Sequence, residues 1–304
     1  MAQTTSLRRL PSALLTAALT AGLAGTALAQ GSTNLPTGFV TGLRGFEKFH
    51  EPIGQPIYFE SPFNDTNLRF LYLHHEFSDG STLAGGDLNV YALQARLALS
   101  ERVGLIATKD GYSDLNSGII EDEGWNDLAL GLKWVAYSNR AQDFVFTPGI
   151  RYQASNGTRA VLQGGVQEVS PFVSFAKGWR DLHLVGNGTV RVPFDDDKGN
   201  TVGHWDLHLD YDINPGQRAV FAPVAEVHGV HYLTDGATAL NVGGLDYANL
   251  GSQPADDFVA WMGLGARCEI DQRFELGLVY EFALTDKDKD IMDQRITFDF
   301  LVRF

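Results

Sequence analysis

The sequence lacks several features that would assign it to a common class of protein. It has one cysteine, Cys268, in 304 residues, so an internal disulfide is excluded. Its 23 basic residues are outnumbered by 37 acidic ones, and the formal net charge of −14 disfavours nucleic acid as a partner. Beyond residue 29 no apolar run reaches the roughly 18 residues of a membrane helix. No GxSxG motif or other serine or cysteine triad pattern is present, so we expect no catalytic residue, no metal ligand and no cofactor.

The first 29 residues predict an export signal. Arg8 and Arg9 precede the Ala/Leu-rich run from Leu14 to Leu28, and a small-x-small cleavage site ends at Ala29. We therefore expect export through the inner membrane and cleavage near Ala29. Loss of the two arginines leaves 21 bases against 37 acids, a net charge of about −16.

From residue 68 to the end, apolar and polar residues alternate with the period of a β-strand. Segments of about 9–13 residues are separated by residues typical of turns, and we interpret twelve of them as strands. They are Leu68–Phe77, Leu88–Leu99, Val103–Lys109, Asp127–Tyr137, Phe144–Ala154, Glu168–Lys177, Leu182–Val192, Gly203–Ile213, Ala219–Tyr232, Phe258–Ile270, Phe274–Phe282 and Arg295–Phe304. The first, third and sixth are the least regular, so ten strands is the alternative.

Such alternation occurs in soluble β-sandwiches and in transmembrane β-barrels, and two features favour the barrel. The strands have the roughly 9–11 residues that a tilted strand needs to cross a bilayer. The connections alternate between short turns, such as 100–102 and 271–273, and long loops, such as 110–126 and 233–257. We therefore predict an all-β fold, a single transmembrane antiparallel up-and-down barrel of about twelve strands. Pro148, Pro171 and Pro223 fall inside predicted strands, where we expect bulges or shorter strands.

The last nine residues, ITFDFLVRF, resemble the closing strand of bacterial outer-membrane barrels, which ends in an alternating run with a C-terminal aromatic residue. In those families the barrel-assembly machinery recognises this strand, and the resemblance implies the same role for Phe298, Phe300 and Phe304. An unpaired strand edge is physically suited to such recognition until the barrel closes.

The polar parity of the strands is expected to line the lumen. Its chemistry divides by strand, with basic residues on the early strands and acidic residues on the later ones. The predicted lining residues are Arg96, Lys133, Arg151, His183, Arg191, His204, Asp206, His208, Asp210, Glu226, Arg267, Glu269, Glu275, Glu281 and Asp299. Two alternatives follow: an open lumen with a transverse field that favours polar solutes, or charges that neutralise one another and fill it.

The histidines of the eighth predicted strand suggest a metal site, but their spacing argues against one. His204 and His208 lie on one face, about 13 Å apart at roughly 3.3 Å per residue, whereas zinc lies about 2 Å from each of its ligands. The acidic loop segments 195–200 and 286–290 lack the glycine and glutamate positions of an EF-hand, so we expect solvated outer loops.

Residues 30–67 do not alternate well and contain several prolines and phenylalanines. Two arrangements are open for this segment: an ordered periplasmic arm, or an arm that folds into the lumen as a plug. The predicted organisation is therefore a signal peptide over 1–29, the arm or plug over 30–67, and the barrel over 68–304.

The repeats DLALGLKW (127–134) and FTPGIRY (146–152), with the closing strand, resemble Gram-negative outer-membrane barrels, and among them the MetA-pathway-type putative channels associated with phenol degradation. The resemblance implies a location in the outer membrane, contact with its lipids, and passive uptake of small solutes without enzymatic activity. The alternatives are a closed structural or adhesive barrel and, third, a lipid-modifying enzyme.

Overall fold

The computed structural model describes residues 36–163, 165–196, 199–235, 244–249, 255–289 and 291–304. The predicted signal peptide lies outside the described residues, as do parts of the acidic segments 195–200 and 286–290. Within the described residues, no helix has both the length and the apolar character needed to span a membrane.

Fifteen β-strands form one antiparallel sheet, with only two short 3-10 turns in the described chain. They are β1 (Asn67–Glu76), β2 (Gly86–Ala98), β3 (Val103–Ala107), β4 (Gly111–Ser117), β5 (Glu121–Trp125), β6 (Ala129–Trp134), β7 (Tyr137–Asn139), β8 (Phe144–Gln153), β9 (Glu168–Trp179), β10 (Leu182–Pro193), β11 (Val202–Tyr211), β12 (Ala219–Tyr232), β13 (Phe258–Ile270), β14 (Phe274–Ala283) and β15 (Gln294–Arg303).

The sheet closes on itself because β1 pairs with β2 on one side and with β15 on the other. Both β3 and β4 pair with β2, so together they form one interrupted strand of the barrel. Likewise β5, β6 and β7 follow one another along the next position. The barrel therefore has twelve strands, which confirms the predicted fold and excludes the ten-strand alternative.

One predicted loop is wrong. Residues 110–126 were expected to be irregular, but they contain β4 and β5, which pair from Tyr112↔Trp125 to Asn116↔Glu121. This hairpin extends the barrel beyond its neighbours. The sequence does not indicate this hairpin, because the acidic run Glu121–Glu123 and the turn residues around Gly118 are typical of a solvated loop.

Each of the three strand prolines interrupts the ladder on one side only, because proline lacks the backbone N–H group and so loses one ladder hydrogen bond. Pro148 pairs with β9, while the β6–β7 side carries one extra residue between its pairings with Gly149 and Phe146, which is a bulge. Pro171 pairs with β8, and the ladder to β10 is interrupted opposite it. Pro223 pairs with β13, and the ladder to β11 ends at the adjacent residue, Val224. The barrel thus accommodates the prolines without opening an edge.

The two faces of the barrel differ as the alternation predicts. Leu130, Leu207 and Leu278 are 62%, 41% and 53% exposed on the outer face. The residues on either side of Leu207 and Leu278 point inward and are buried. An apolar outer face around a polar interior is the arrangement of a barrel in lipid.

The two ends of the barrel also differ. The turn end carries the short connections, for example 180–181 and 271–273, together with the first residue of β1 and the last residue of β15. The loop end carries the long connections, for example 154–167 and 284–293. We use these names below.

Candidate functional site in the barrel lumen

All fifteen predicted lining residues lie on the inner face, and each is at most 4% exposed. They do not contact one another across an empty bore. Residues 49–64, which are buried along their whole length, lie inside the barrel between them. We call residues 49–64 the lumen segment.

The lumen segment enters and leaves through the turn end. At its start, His50 Nε2 lies 2.8 Å from Asp212 Oδ1, just after β11. At its deepest point the Tyr58 hydroxyl donates to Glu168 Oε1 at 3.0 Å, where β9 begins at the loop end. It returns to the turn end, where Asn64 Nδ2 donates to the Ser100 carbonyl at 2.8 Å. Two arrangements were open for residues 30–67, and these contacts favour the arm that folds into the lumen as a plug.

Glu60 is the counterion of the basic side of the lumen. Its carboxylate accepts two hydrogen bonds from Arg96, both 2.9 Å long, and one of 2.7 Å from Lys133 Nζ. Arg151 Nη2 lies 3.8 Å away. Burial raises the pKa of Glu60, but the charges of Arg96 and Lys133 outweigh it and hold the pKa well below its usual range. Glu60 is therefore ionised at neutral pH and is the shared counterion of a cluster of three cations.

Tyr58 occupies the same side of the lumen, nearer the loop end. Its ring stacks on His204 with a centroid distance of 4.7 Å, and the Arg191 guanidinium lies 4.5 Å from the ring centroid. Arg191 also pairs with Glu168 at 2.9 Å. A cation over an aromatic face is stabilising when it is desolvated, so Tyr58 anchors the tip of the lumen segment.

The acidic side holds the other limb of the segment through its backbone. Glu226 accepts from the N–H groups of Ile53 at 2.8 Å and Gly54 at 2.7 Å. A Cβ atom at Gly54 would lie only 2.6 Å from Glu226 Oε2, so this close approach requires glycine.

Arginines on the acidic side bind the carbonyl groups of the segment. Arg267 donates to the carbonyls of Glu51 at 2.8 Å and Pro52 at 3.1 Å, and Arg69 donates to that of Ile53 at 3.1 Å. Both arginines also pair with Asp299, at 2.5 and 2.6 Å. Each arginine thus serves a wall carboxylate and the segment at once, which satisfies buried backbone acceptors.

The histidines of β10, β11 and β12 bridge carboxylates. His208 lies 2.6 Å from Glu226 and 3.1 Å from Asp210, and His183 lies 2.8 Å from Asp210. In the same way His228 lies 2.8 Å from Asp206. These histidines therefore supply partners for the buried carboxylates of the lumen wall.

Loop residues cover the lumen at the loop end. Asp246 lies 2.5 Å from Arg295 of β15, and Gln163 Nε2 donates to the Tyr247 carbonyl at 2.9 Å. Beneath them Ile57, at the tip of the lumen segment, belongs to an apolar cluster with Leu71 of β1.

The structure adds functional candidates that sequence reasoning missed. Arg69, Arg295 and Glu168 face the lumen from β1, β15 and β9 and are buried. Each falls on the inward parity of its strand, so the alternation could have identified them. Glu60 carried no such indication, because it lies in a segment without periodicity.

The predicted division of charge takes a form that neither sequence alternative described. Arg96, Lys133 and Arg151 do not reach the carboxylates of the later strands. They form ion pairs with Glu60 instead. On the acidic side, Glu226 accepts hydrogen bonds from backbone N–H groups of the same segment. The lumen segment therefore lies between the two charged sides and complements both.

Solved structures show what the chain is similar to. It matches an outer-membrane channel from Pseudomonas putida F1 with a TM-score of 0.58 and 13% sequence identity, over 84% of this chain and 100% of that chain. It also matches the NanC porin (TM-score 0.47, 13% identity, 79% and 98% covered) and the KdgM porin in complex with disordered oligogalacturonate (0.45, 10%, 78% and 99%). No protein-family model and no curated protein sequence matches the chain. The first of these matches establishes the fold as that of an outer-membrane β-barrel, which confirms the resemblance at that level.

Proposed function

We propose that this chain is an outer-membrane channel for small polar solutes, with a lumen that residues 49–64 occupy reversibly. The observation that carries the proposal is the content of the lumen. Eight-stranded barrels are filled by their own side chains, while barrels of 16–18 strands leave an aqueous channel. In this twelve-stranded barrel a separate length of chain, which enters and returns, fills the centre.

The segment lies inside the barrel without being part of its sheet. It belongs to none of the named barrel strands. Ion pairs and hydrogen bonds attach it to the polar wall, and its phenylalanines pack in an apolar cluster with strand residues. Both of its ends lie at the turn end, so it can withdraw in that direction without breaking the barrel. Withdrawal would expose a bore lined on one side by Arg96, Lys133 and Arg151 and on the other by carboxylates. Such a lining favours polar over apolar solutes.

Swelling of lipid vesicles tests passage of solutes. Vesicles that contain the chain without residues 36–66 are expected to swell in an isotonic solution of a small neutral sugar, because the bore is then polar and open. Swelling should stop for solutes wider than the bore, which distinguishes a channel from leaky vesicles. Folding is checked by the shift in electrophoretic migration on heating. A folded barrel that passes no solute would contradict the proposal.

The second candidate is a closed structural or adhesive barrel. The cover at the loop end favours it, since Asp246 pairs with Arg295 and the Tyr247 carbonyl accepts from Gln163. If this candidate is correct, vesicles that contain the shortened chain will not swell.

We assign no enzymatic activity to the chain. Two histidines lie on the lipid-facing parity of the strands. His74 of β1 and His231 of β12 point outward near the loop end. His74 contacts Asn89 at 2.9 Å and Glu76 at 3.4 Å. Neither contact supplies a nucleophile, so these histidines support no hydrolytic site.

The outer membrane is the proposed location, with export and signal cleavage near Ala29 and assembly through the C-terminal strand. β15 pairs with β14 and β1, so it is the strand that closes the barrel. Phe298 is exposed to lipid, and the Phe304 N–H donates to the Thr66 carbonyl at 3.0 Å.

Removal of Phe304 is expected to lower the yield of heat-modifiable barrel in the outer membrane of expressing cells, because the assembly machinery would lose part of its recognition strand. The same shortened chain should still fold from urea into detergent, since one terminal residue contributes little to the ladder. Unchanged assembly in cells would contradict the role of Phe304.

A further inference from the structure

His50, at the point where the lumen segment enters the turn end, is surrounded by carboxylates from the barrel wall. Asp210 and Asp212 lie on one side of its ring, and Glu269 of β13 and Glu275 of β14 lie near it as well. One ring nitrogen of His50 and one carboxylate oxygen each of Glu269 and Glu275 lie within 4.8 Å of one another. These three groups come from three separate elements.

The same place holds unsatisfied buried atoms. Nδ1 of His50 and Oε2 of Glu269 have no hydrogen-bond partner among the described residues, although the two residues are only 1% and 4% exposed. Buried polar atoms without partners cost free energy and are rare in folded proteins. One of these atoms belongs to a carboxyl group, and the other is a nitrogen lone pair when the imidazole is neutral, so a group that satisfies both is a cation.

We propose that His50, Glu269 and Glu275 form a site for a divalent transition metal ion of the zinc type, which ties the lumen segment to β13 and β14. Imidazole together with carboxylate suits zinc, whereas calcium and magnesium prefer oxygen ligands alone. A catalytic or open zinc site has three protein ligands and a fourth position for water. A cavity of about 400 Å³ at the turn end, lined by His50, Asp212 and Glu269, supplies that water and a path for entry.

Arg303 already lies beside these carboxylates, so a metal ion would have to compete with its guanidinium for Glu275. Its guanidinium lies 2.5 Å from Glu275 Oε1 and 3.7 Å from Glu269 Oε2. It also pairs with Asp65 at 2.9 Å. Because Asp65 remains a partner, Arg303 can release Glu275 to the metal without becoming an unpaired buried charge.

The consequence is a lock on the lumen segment. Of the three ligands, only His50 belongs to the segment, and the other two belong to the wall. A bound ion adds a link that must break before residues 49–64 can leave. Ligands that lie at residues 50, 269 and 275 have no spacing that a sequence motif could reveal.

Titration of zinc into the folded full chain in detergent at pH 8, followed by calorimetry, tests the site, because metal binding displaces the imidazole proton. One ion per chain is expected to bind. Loss of an outer-shell partner weakens metal sites by about 10–100-fold, so His50→Asn and Glu269→Gln, which remove a ligand, should each weaken binding by about 10-fold or more. The matched control is His231→Asn, which removes an exposed histidine from the outer face and should bind as the unaltered chain does.

Hydrogen exchange of residues 46–54 in the unaltered chain gives a readout that needs no variant. Zinc is expected to slow exchange there and to leave the loop end unaffected. Absence of saturable binding, equal binding by folded His50→Asn and Glu269→Gln variants, or unchanged exchange would each overturn the site. These readouts do not depend on solute passage, so the site and the channel can fail separately.

Discussion

Replacing Glu60 with glutamine is expected to release the lumen segment. Glutamine keeps the shape of the side chain but removes the charge that Arg96, Lys133 and Arg151 share. Leaving a buried charge without its partner costs about 3–5 kcal/mol. In this variant three cations lose their common partner, and withdrawal of the segment would return them to water. A shift of about 3 kcal/mol corresponds to a change of about 100-fold in the equilibrium between the docked and released segment.

Thiol labelling measures this release. In a Cys268→Ser background, Ser61→Cys places a thiol in the buried part of the segment, and a water-soluble maleimide should label it about 100-fold faster when Glu60 is replaced. The control is Glu47→Gln, the same chemical change in a half-buried residue whose carboxylate accepts from the Gly45 N–H. Equal labelling rates for the Glu60 and Glu47 variants would show that the three-cation cluster does not hold the segment.

Replacing Leu278 with arginine is expected to destabilise the barrel in lipid by about 2–4 kcal/mol, the cost of an arginine on the lipid face at the middle of a bilayer. Leu278 lies midway along β14, and its side chain is 53% exposed on the outer face. If the outer face of the barrel met water instead of lipid, an arginine at this exposed position would change the free energy of unfolding by no more than about 0.5 kcal/mol.

Urea unfolding in lipid vesicles measures the effect, with the free energy of unfolding as the readout. Leu284→Arg is the matched control, since Leu284 has the same 53% exposure but follows the end of β14 at the loop end. An arginine near the interface costs about 0–1 kcal/mol. Equal losses at the two positions would contradict the assignment of the outer face to lipid.

The sequence was sufficient for the barrel because each strand carries its own alternation. The polar parity was expected to face the lumen, and Leu130, Leu207 and Leu278, on the opposite parity, are found on the outer face. The hairpin of β4 and β5 escaped prediction, because Glu121–Glu123 carry charge on successive residues and therefore obscure the period of two. Even at the strand prolines, the missing N–H groups gave the correct expectation of a bulge or interruption.

The contents of the lumen could not be predicted in the same way. Arg96 was correctly expected to point inward, but its partner Glu60 lies in a segment without periodicity. Asp299 meets Arg69 across 230 positions of sequence, and a contact of that range depends on closure of the whole barrel. Local pattern sets the direction of a side chain, whereas the closed sheet decides what it meets.

Single-channel recording in planar bilayers tests most directly whether residues 49–64 close a lumen that is otherwise open. The full chain and the chain without residues 36–66 would be recorded at the same salt concentration, after heat-modifiable migration has shown that both are folded. The full chain is expected to conduct rarely, and the shortened chain to give a steady conductance. Silence of both chains, or the same steady conductance from both, would contradict a lumen closed by its own N-terminal segment.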